Sequence, residues 1–288
     1  MTILVAGATG TTGSHVVRRL LGKGEQVRAL TRSQESAQKL TADGVEAVVG
    51  TLDDADVVAR AATGVSAAYL ATTSTPDLPE LEGSFARTLA AAGVPLVKLS
   101  VIGAAADSPI RFGRGHGQSE AAIEAAFATT GAWTFLQPNG FMQNDLAWAQ
   151  QIPSGTIAAA GMDSSWAIVD VADIADVAVA ALTDPAAYAG RRVPITGPAV
   201  LSPRERIAEL SRVIGRDLLA VDVPLPAFAE TLRGYQMSDW YVEALVELMQ
   251  MYATGAAAHL TQDAEAILGR PLHTWEQFVT EHHQAFTG

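Results

Sequence analysis

The chain has 288 residues, of which 49% are hydrophobic and only 17% charged, and it contains no cysteine. This composition indicates a globular interior and excludes a disordered chain, while the lack of thiols excludes disulfides, thiolate metal sites and cysteine nucleophiles. The formal net charge of -12 repels phosphate backbones and anionic lipid surfaces, so we expect neither nucleic acid nor a membrane as a partner. A cytoplasmic location is the simplest expectation, because the N-terminus shows no basic targeting region and no long apolar span.

The first residues predict a dinucleotide-binding site. An apolar run over residues 1–6 meets a glycine-rich turn (residues 7–13, Gly-Ala-Thr-Gly-Thr-Thr-Gly), and residues 14–21 continue with helical spacing. Glycines allow close approach of the backbone to a pyrophosphate, and the helix start offers it unpaired N–H groups and a positive dipole end. A purely structural turn is the alternative. The expected cofactor-binding residues of the turn are Gly7, Thr9, Gly10, Thr11, Thr12 and Gly13.

A second strand over residues 26–32 ends in a basic residue, Arg32. NAD-binding sheets usually carry an acid here for the ribose 2′-hydroxyl, whereas the nearest acid in this chain is Glu35. Arg32 could instead pair with the 2′-phosphate of NADP through charge-assisted hydrogen bonds. The residues therefore favour NADP(H) over NAD(H), with a solvated arginine at a strand end as the alternative.

Four further strands with intervening helices predict an α/β protein with a doubly wound parallel sheet, in which ligands bind at the carboxyl ends of the strands. In such a sheet Thr51 and Leu52 would lie beside the adenine, and Thr72 would lie in a loop at the same edge. The four strands are expected over residues 46–49, 67–71, 96–100 and 133–137.

The rest of the chain predicts a smaller, mostly helical subdomain after an irregular stretch. A loop is expected over residues 101–115, and an alanine-rich helix over residues 121–130. Capping boxes at Ser202 and Thr274 predict helix starts. Short strands are expected over residues 168–170, 192–196 and 220–223. An apolar stripe, typical of a core and less often of a substrate pocket, comprises Met237, Trp240, Tyr241, Leu245, Met249 and Tyr252.

The usual proton donor of short-chain dehydrogenases is absent, because no tyrosine has a lysine four residues later. His116 and Glu120 stand in its place. His116 is a candidate to donate a proton or to orient an acceptor, with a hydrogen-bonded loop histidine as an equal alternative. Glu120 is expected to be an organising or a solvated residue and not an acid. No metal site is predicted, because the acids at 53, 54 and 56 suit the first turn of a helix and the remaining histidines lack ligand spacing.

Taken together, these motifs resemble the NmrA-like group of atypical short-chain dehydrogenase/reductases over nearly the whole chain. Two positions depart from the group: Thr51 stands where relatives often have an aspartate, and Gln137 where many have an arginine. The resemblance rests on the glycine-rich turn, Arg32, Lys98-Leu-Ser100, His116 through Glu120, Thr134-Phe-Leu-Gln-Pro138 with Phe141, Met142 and Asn144, Val171-Ala-Asp-Ile-Ala175, Leu268-Gly-Arg-Pro271 and Trp275-Glu-Gln-Phe278.

The resemblance implies an extended Rossmann fold with an NAD(P)-binding domain over residues 1–150, to which residues of about 167–197 add strands. It implies a substrate subdomain over residues 151–288, packed on that domain. NADPH would lie across the strand ends, contacted by Ser100, with Pro138, Asn139 and Phe141 near the nicotinamide.

Members of the group include quinone reductases, triphenylmethane-dye reductases and catalytically silent NADP-sensing regulators. The first hypothesis is therefore hydride transfer from NADPH to a small, apolar, conjugated electrophile, and a biosynthetic tailoring reductase differs only in its substrate. The alternative is a non-catalytic NADP(H) sensor that acts through a protein partner. A monomer or a homodimer is expected.

Overall fold

The computed structural model describes residues 1–288. Helices and strands alternate regularly through its first half. They are β1 Thr2–Ala6, α1 Thr11–Gly22, β2 Gln26–Thr31, α2 Gln34–Ala42, β3 Glu46–Val49, α3 Ala55–Ala62, β4 Ala67–Leu70, α4 Leu78–Ala91, β5 Leu96–Leu99, α5 Arg111–Ala126 and β6 Trp133–Pro138.

The second half is mainly helical, with two short 3₁₀ segments after β6. None of the helices combines the length and the apolar character that a bilayer crossing requires. The elements are 3₁₀ turns Met142–Gln150 and Ile152–Ser154, β7 Thr156–Ala159, α6 Val171–Thr183, α7 Pro185–Tyr188, β8 Arg191–Ile195, α8 Pro203–Ile214, β9 Leu219–Asp222, α9 Leu225–Gly234, α10 Asp239–Ala253, α11 Asp263–Leu268, α12 Trp275–Glu281 and α13 His283–Thr287.

Seven strands form one sheet in the order β3-β2-β1-β4-β5-β6-β8. The strands from β3 to β6 pair in parallel, and Val5 of β1 lies between Ala29 of β2 and Tyr69 of β4. This confirms the predicted doubly wound α/β sheet. Successive strands are added on one side of β1 as far as β3 and on its other side from β4 onward. This change of side places the topological switch point, and hence the expected ligand crevice, beyond the carboxyl ends of β1 and β4.

Two compact units divide the chain, the first over residues 1–137 and 174–194 and the second over residues 138–173 and 195–288. The first unit contains the sheet and a core in which Leu4, Leu70 and Phe85 are fully buried. Continuous apolar strands form this core because both faces of a parallel sheet are covered by helices.

The second unit has its own aromatic core. Trp275 and Phe278 stack with ring centroids 5.3 Å apart, and Trp166 stacks on Tyr252 at 4.3 Å. Both predicted capping boxes are confirmed, at Ser202 with Glu205 and at Thr274 with Gln277.

Three local expectations were wrong. Helix α5 begins at Arg111, so the expected loop over residues 101–115 ends early and His116 lies in a helix. Residues 168–170 form only an isolated bridge, between Val169 and Phe141. The apolar stripe is not uniformly core, because Met237 is 39% exposed whereas Tyr252 is buried.

Candidate functional site

The glycine-rich turn is held by backbone contacts that only glycine permits. Gly7 has a φ of 88°, and a Cβ there would lie 2.1 Å from the carbonyl oxygen of Ala71. A Cβ on Gly13 would lie 2.0 Å from the carbonyl oxygen of Gly7. These two glycines therefore bring strand β1, its turn and helix α1 into contact, which is the geometry of a dinucleotide-binding turn.

The middle of the turn is open. A Cβ on Gly10 would meet only the carbonyl oxygen of Gly7, at 3.3 Å, and Thr9, Gly10 and Thr11 are exposed. No side chain caps helix α1 at Gly10, and its first turn carries no acid. No side chain therefore occupies the amide groups at this helix start, which is the arrangement by which helix N-termini bind phosphate groups. Thr12, by contrast, is buried beneath the turn.

Arg32 follows the last residue of β2 and directly precedes Ser33, the N-cap of α2. Its side chain is exposed, and no carboxylate pairs with it. The nearest acid, Glu35, accepts a hydrogen bond from Lys39 Nζ at 2.7 Å. A free guanidinium thus stands at the point of the sheet where the ribose substituent of a dinucleotide is read.

The other residues predicted near the adenine follow β3. Thr51 is exposed, and Leu52 packs against the core of the first unit. Asp54 caps helix α3, accepting from the Val57 amide at 3.0 Å, so this acid completes a helix start.

A buried ion pair lies behind the carboxyl edge of the sheet. The fully buried Lys98 Nζ is 3.1 Å from Glu82 Oε2, and it also donates to the Leu99 carbonyl at 3.0 Å. Glu82 accepts hydrogen bonds from the hydroxyls of Thr72 and Ser119. The predicted cofactor residue Thr72 therefore has its hydroxyl committed to this pair.

His116 completes what we call the Lys98 network (Ser74, Glu82, Lys98 and His116). Its Nδ1 is 2.9 Å from Lys98 Nζ, and its Nε2 is 3.0 Å from Ser74 Oγ. Burial, and then the charge of Lys98, hold the pKa of His116 well below its usual value. The ring is therefore neutral at pH 7, because a buried imidazolium beside an ammonium is strongly disfavoured.

Glu120, one helical turn beyond His116, contacts strands β6 and β8 and the residue that follows β5. Its carboxylate accepts from Ser100 Oγ at 2.5 Å, from Gln137 Nε2 at 2.9 Å and from Arg192 Nε at 3.0 Å. Glu120 is 2% exposed and Ser100 is equally buried. A carboxylate with so many donors positions its neighbours, so the geometry is that of an organising group. Gln137 joins Arg192 of β8 at this carboxylate.

Close contact with glycines holds the segment after β5 on helix α5. A Cβ on Gly117 would lie 2.1 Å from the backbone of Ala105, and the Ala105 amide donates to the Gly113 carbonyl at 3.1 Å. The glycines at 113 and 117 share one face of α5, one turn apart. This packing outweighs their poor helix propensity, which explains why α5 starts earlier than expected.

Three residues predicted near the nicotinamide begin the second unit. Pro138 ends β6 and is buried. Asn139 is 4% exposed, and its side chain donates to the Ala257 carbonyl at 3.1 Å and accepts from the Gly140 amide at 2.8 Å. Phe141 is half-buried and bridges to Val169.

Sequence reasoning missed Ser74, Glu82 and Arg192. No local motif marks them, since they lie 42, 34 and 76 residues from His116 in the chain. Only Lys98 carried a signal, as one of three lysines in the chain and one placed inside an apolar strand.

The turn and the strand order define a Rossmann-like α/β protein of the NAD(P)-binding type. The model of the NmrA-like family matches residues 1–278, so the chain belongs to that family.

Two relatives match along 99% of this chain and 99% of their own length. An NAD(P)H azoreductase from Xenophilus azovorans is 34% identical over 286 residues. A (4-alkanoyl-5-oxo-2,5-dihydrofuran-3-yl)methyl phosphate reductase from Streptomyces griseus is 37% identical over 287 residues.

Solved structures share the fold at lower identity. An NADPH-dependent quinone oxidoreductase from Escherichia coli, complexed with NADPH, is 22% identical with a TM-score of 0.85, covering 98% of this chain and 99% of its own. A triphenylmethane reductase from Citrobacter is 22% identical with a TM-score of 0.84, covering 100% of both chains.

Proposed function

We propose that this protein is an NADPH-dependent reductase that transfers hydride to a small conjugated electrophile, a quinone-like, dye-like or related organic acceptor. The observation that carries the proposal is the match to two reductases along 99% of the chain, on a fold whose dinucleotide turn is open. The names of these relatives describe an azo acceptor and an unsaturated lactone, and both are conjugated systems.

Residues of the first unit hold the cofactor in this proposal. The amides of Thr11, Thr12 and Gly13 bind the pyrophosphate, and the backbone at Thr9 and Gly10 lets it approach. Arg32 binds the 2′-phosphate, while Thr51 and Leu52 flank the adenine. The bound nicotinamide supplies the hydride, and the protein supplies position and excludes water.

The acceptor class follows from the residues that the chain lacks and those that it has. No tyrosine is followed by a lysine four residues later, so the usual strong proton donor is missing. A positioned general acid contributes about 10²–10⁴-fold, and conjugated acceptors need it least because they delocalise the incoming charge. His116 belongs to the part of the site that supplies the proton, and Glu120 positions the strands. Contacts of the cofactor with Ser100, Pro138, Asn139 and Phe141 remain predictions.

A panel of quinones, azo compounds and cationic dyes with NADPH tests the proposal. We expect NADPH oxidation well above background for at least one acceptor class. No oxidation with any acceptor would refute the reductase. If NADPH and NADP⁺ then bound with different affinities, the sensor hypothesis would take its place, because a ligand shifts a conformational equilibrium only through differential affinity.

The cofactor preference has a separate test in Arg32→Ala. Loss of one charge-assisted contact removes roughly 1.5–3 kcal/mol, so NADPH should bind about 10- to 100-fold more weakly while NADH is hardly affected. Lys39→Ala, which removes an exposed cation seven residues further along the chain, is the matched control. Equal losses for the two cofactors in Arg32→Ala would contradict the assignment of Arg32.

A further inference from the structure

A line of hydrogen bonds leads from the interior of the first unit to the ligand edge of its sheet. It starts at Lys98, which is fully buried, passes through His116, which is 5% exposed, and ends at Ser74, which is half-buried in the loop after β4. Because β4 borders the topological switch point, that loop lies where a doubly wound sheet binds its ligand.

The direction of each hydrogen bond in this line is determined. Lys98 Nζ pairs with the Glu82 carboxylate at 3.1 Å, and the ammonium of such an ion pair can only donate. His116 Nδ1 therefore accepts from Lys98, which requires the proton of the neutral ring to be on Nε2. That Nε2–H donates to Ser74 Oγ.

Ser74 consequently has its own proton to give. Its oxygen accepts from His116, and its hydroxyl has no second partner in the chain. A hydroxyl that accepts from an N–H is polarised to donate more strongly, because hydrogen bonds in a chain reinforce one another. His116 has no free nitrogen left with which to contact a substrate.

We propose that Ser74 is the group that protonates the acceptor, and that His116 and Lys98 act through it as a proton relay. The proposal rests on the reductase function proposed above, and it assigns the proton donor of that reaction. Ser74 would be the catalytic residue, whereas His116 and Lys98 are positioning residues that supply it.

The acceptor gains hydride and takes the Ser74 Oγ proton on the oxygen or nitrogen that becomes negative. Ser74 takes the Nε2 proton of His116, and His116 Nδ1 takes a proton from Lys98, which becomes neutral beside Glu82. After the product leaves, Ser74 passes its proton to His116 Nε2, His116 Nδ1 returns its proton to Lys98, and Ser74 takes up one proton from bulk solvent.

Acceptor chemistry provides an internal control. A quinone or an azo compound becomes an anion when it gains hydride, so its reduction needs a proton. A cationic triphenylmethane dye such as crystal violet becomes a neutral leuco dye on gaining hydride, so it needs none. Removing the relay should slow the first reaction and spare the second.

The experiment compares kcat of Ser74→Ala and Ser74→Thr with a quinone and with crystal violet, at saturating NADPH. We expect a 10²- to 10³-fold lower kcat for the quinone in Ser74→Ala, less than a threefold change for the dye, and recovery in Ser74→Thr. The matched control is Thr73→Ala, an exposed neighbour outside the network. The NADPH Kd of every variant should match that of the wild type.

His116→Gln tests the relay itself, since glutamine can still donate an N–H to Ser74 but cannot pass a proton. We expect the quinone reaction alone to slow, by about tenfold or more, with an unchanged KM for the dye. Independently of activity, the ¹⁵N NMR shifts of the His116 ring should show an Nε2–H tautomer at pH 7, in a signal missing from His116→Gln.

Equal losses for quinone and dye in Ser74→Ala, or no loss for either, would overturn the proposal, as would an Nδ1–H or doubly protonated His116 ring. A wild-type enzyme that reduces dyes alone would also overturn it, because the relay would have no reaction to serve. If the wild type reduces quinones but not dyes, a loss of quinone reduction in Ser74→Ala but not in Thr73→Ala supports the proposal. Equal rates in the two variants would overturn it. A wild type without any reductase activity refutes the reductase function first.

Discussion

Each unit of this protein buries one ion pair, and the two pairs are satisfied in different ways. In the first unit, Lys98 and Glu82 are both fully buried, and Lys98 Nζ lies 3.1 Å from Glu82 Oε2. Hydroxyls, a carbonyl and an imidazole surround this pair. In the second unit, Arg206 Nε lies 3.0 Å from Asp145 Oδ2, and the guanidinium lies 4.5 Å from the ring centroid of Trp166.

The surroundings determine what each pair can do. Aromatic rings offer no acceptors, and Arg206 Nε, Arg206 Nη1 and Asp145 Oδ2 lack a partner of hydrogen-bond geometry. Burial, opposed by the charge of Arg206, accordingly raises the pKa of Asp145 to about 6. The pair of the second unit is thus a structural element of an aromatic core, while that of the first unit belongs to a connected polar network that can move a proton.

The largest effect should come from Arg206→Met, which leaves Asp145 buried without its counterion. We expect a loss of about 3–5 kcal/mol in the free energy of unfolding at pH 7.5, measured by urea denaturation. The loss should be smaller at pH 5, because a carboxyl with a raised folded-state pKa is protonated there. Adding Asp145→Asn should recover much of it at pH 7.5. An equal loss at both pH values would contradict the importance of the Asp145 charge.

Lys98→Met should cost less, about 2–3 kcal/mol. Glu82 loses its counterion but keeps the hydrogen bonds from Thr72 and Ser119. Urea denaturation of Lys98→Met alone and with Glu82→Gln measures this, and the second substitution should restore part of the stability. A larger loss than that of Arg206→Met would show that the hydroxyls do not compensate.

The third effect is the pH dependence that His116 imposes. Its folded-state pKa is depressed, so only the unfolded chain takes up this proton as the pH falls through about 6.5, and stability is lost with falling pH. Between pH 7.5 and 6 this amounts to about 0.5–1 kcal/mol. Unfolding free energies of His116→Gln should lack that loss, while those of the exposed His259→Gln should keep it.

The smallest effect belongs to an exposed pair that contrasts with both buried ones. The side chains of Lys39 and Glu35 are 74% and 77% exposed, and Lys39 Nζ lies 2.7 Å from Glu35 Oε1. Lys39→Ala should change the free energy of unfolding by less than about 0.5 kcal/mol, and 1 M salt should abolish the difference. A loss as large as that of Lys98→Met would mean that burial is not what separates the pairs.

Local patterns predicted the strands, most helices and the dinucleotide turn well, because each depends on residues a few positions apart. The same reasoning mistook the start of α5 for a loop. Its glycines at 113, 115 and 117 disfavour an isolated helix. Only the folded structure shows why two of them are needed, because a Cβ on Gly117 would lie 2.1 Å from the backbone of Ala105 and one on Gly113 would lie 2.5 Å from Ser108 Oγ. The same reasoning treated the apolar stripe from Met237 to Tyr252 as one buried face, whereas the exposed fraction differs along it.

The sequence by itself determined the fold class and the family of this protein, and it predicts the cofactor-binding residues, since the glycine-rich turn and Arg32 are contiguous with the strands that present them. Tertiary structure alone decided the partners of His116 and Glu120. Ser74 and Lys98 lie 42 and 18 residues from His116, and hydrogen bonds across such separations follow from strand order and not from any local pattern. The residues of the proposed proton relay could therefore be identified only from the folded structure.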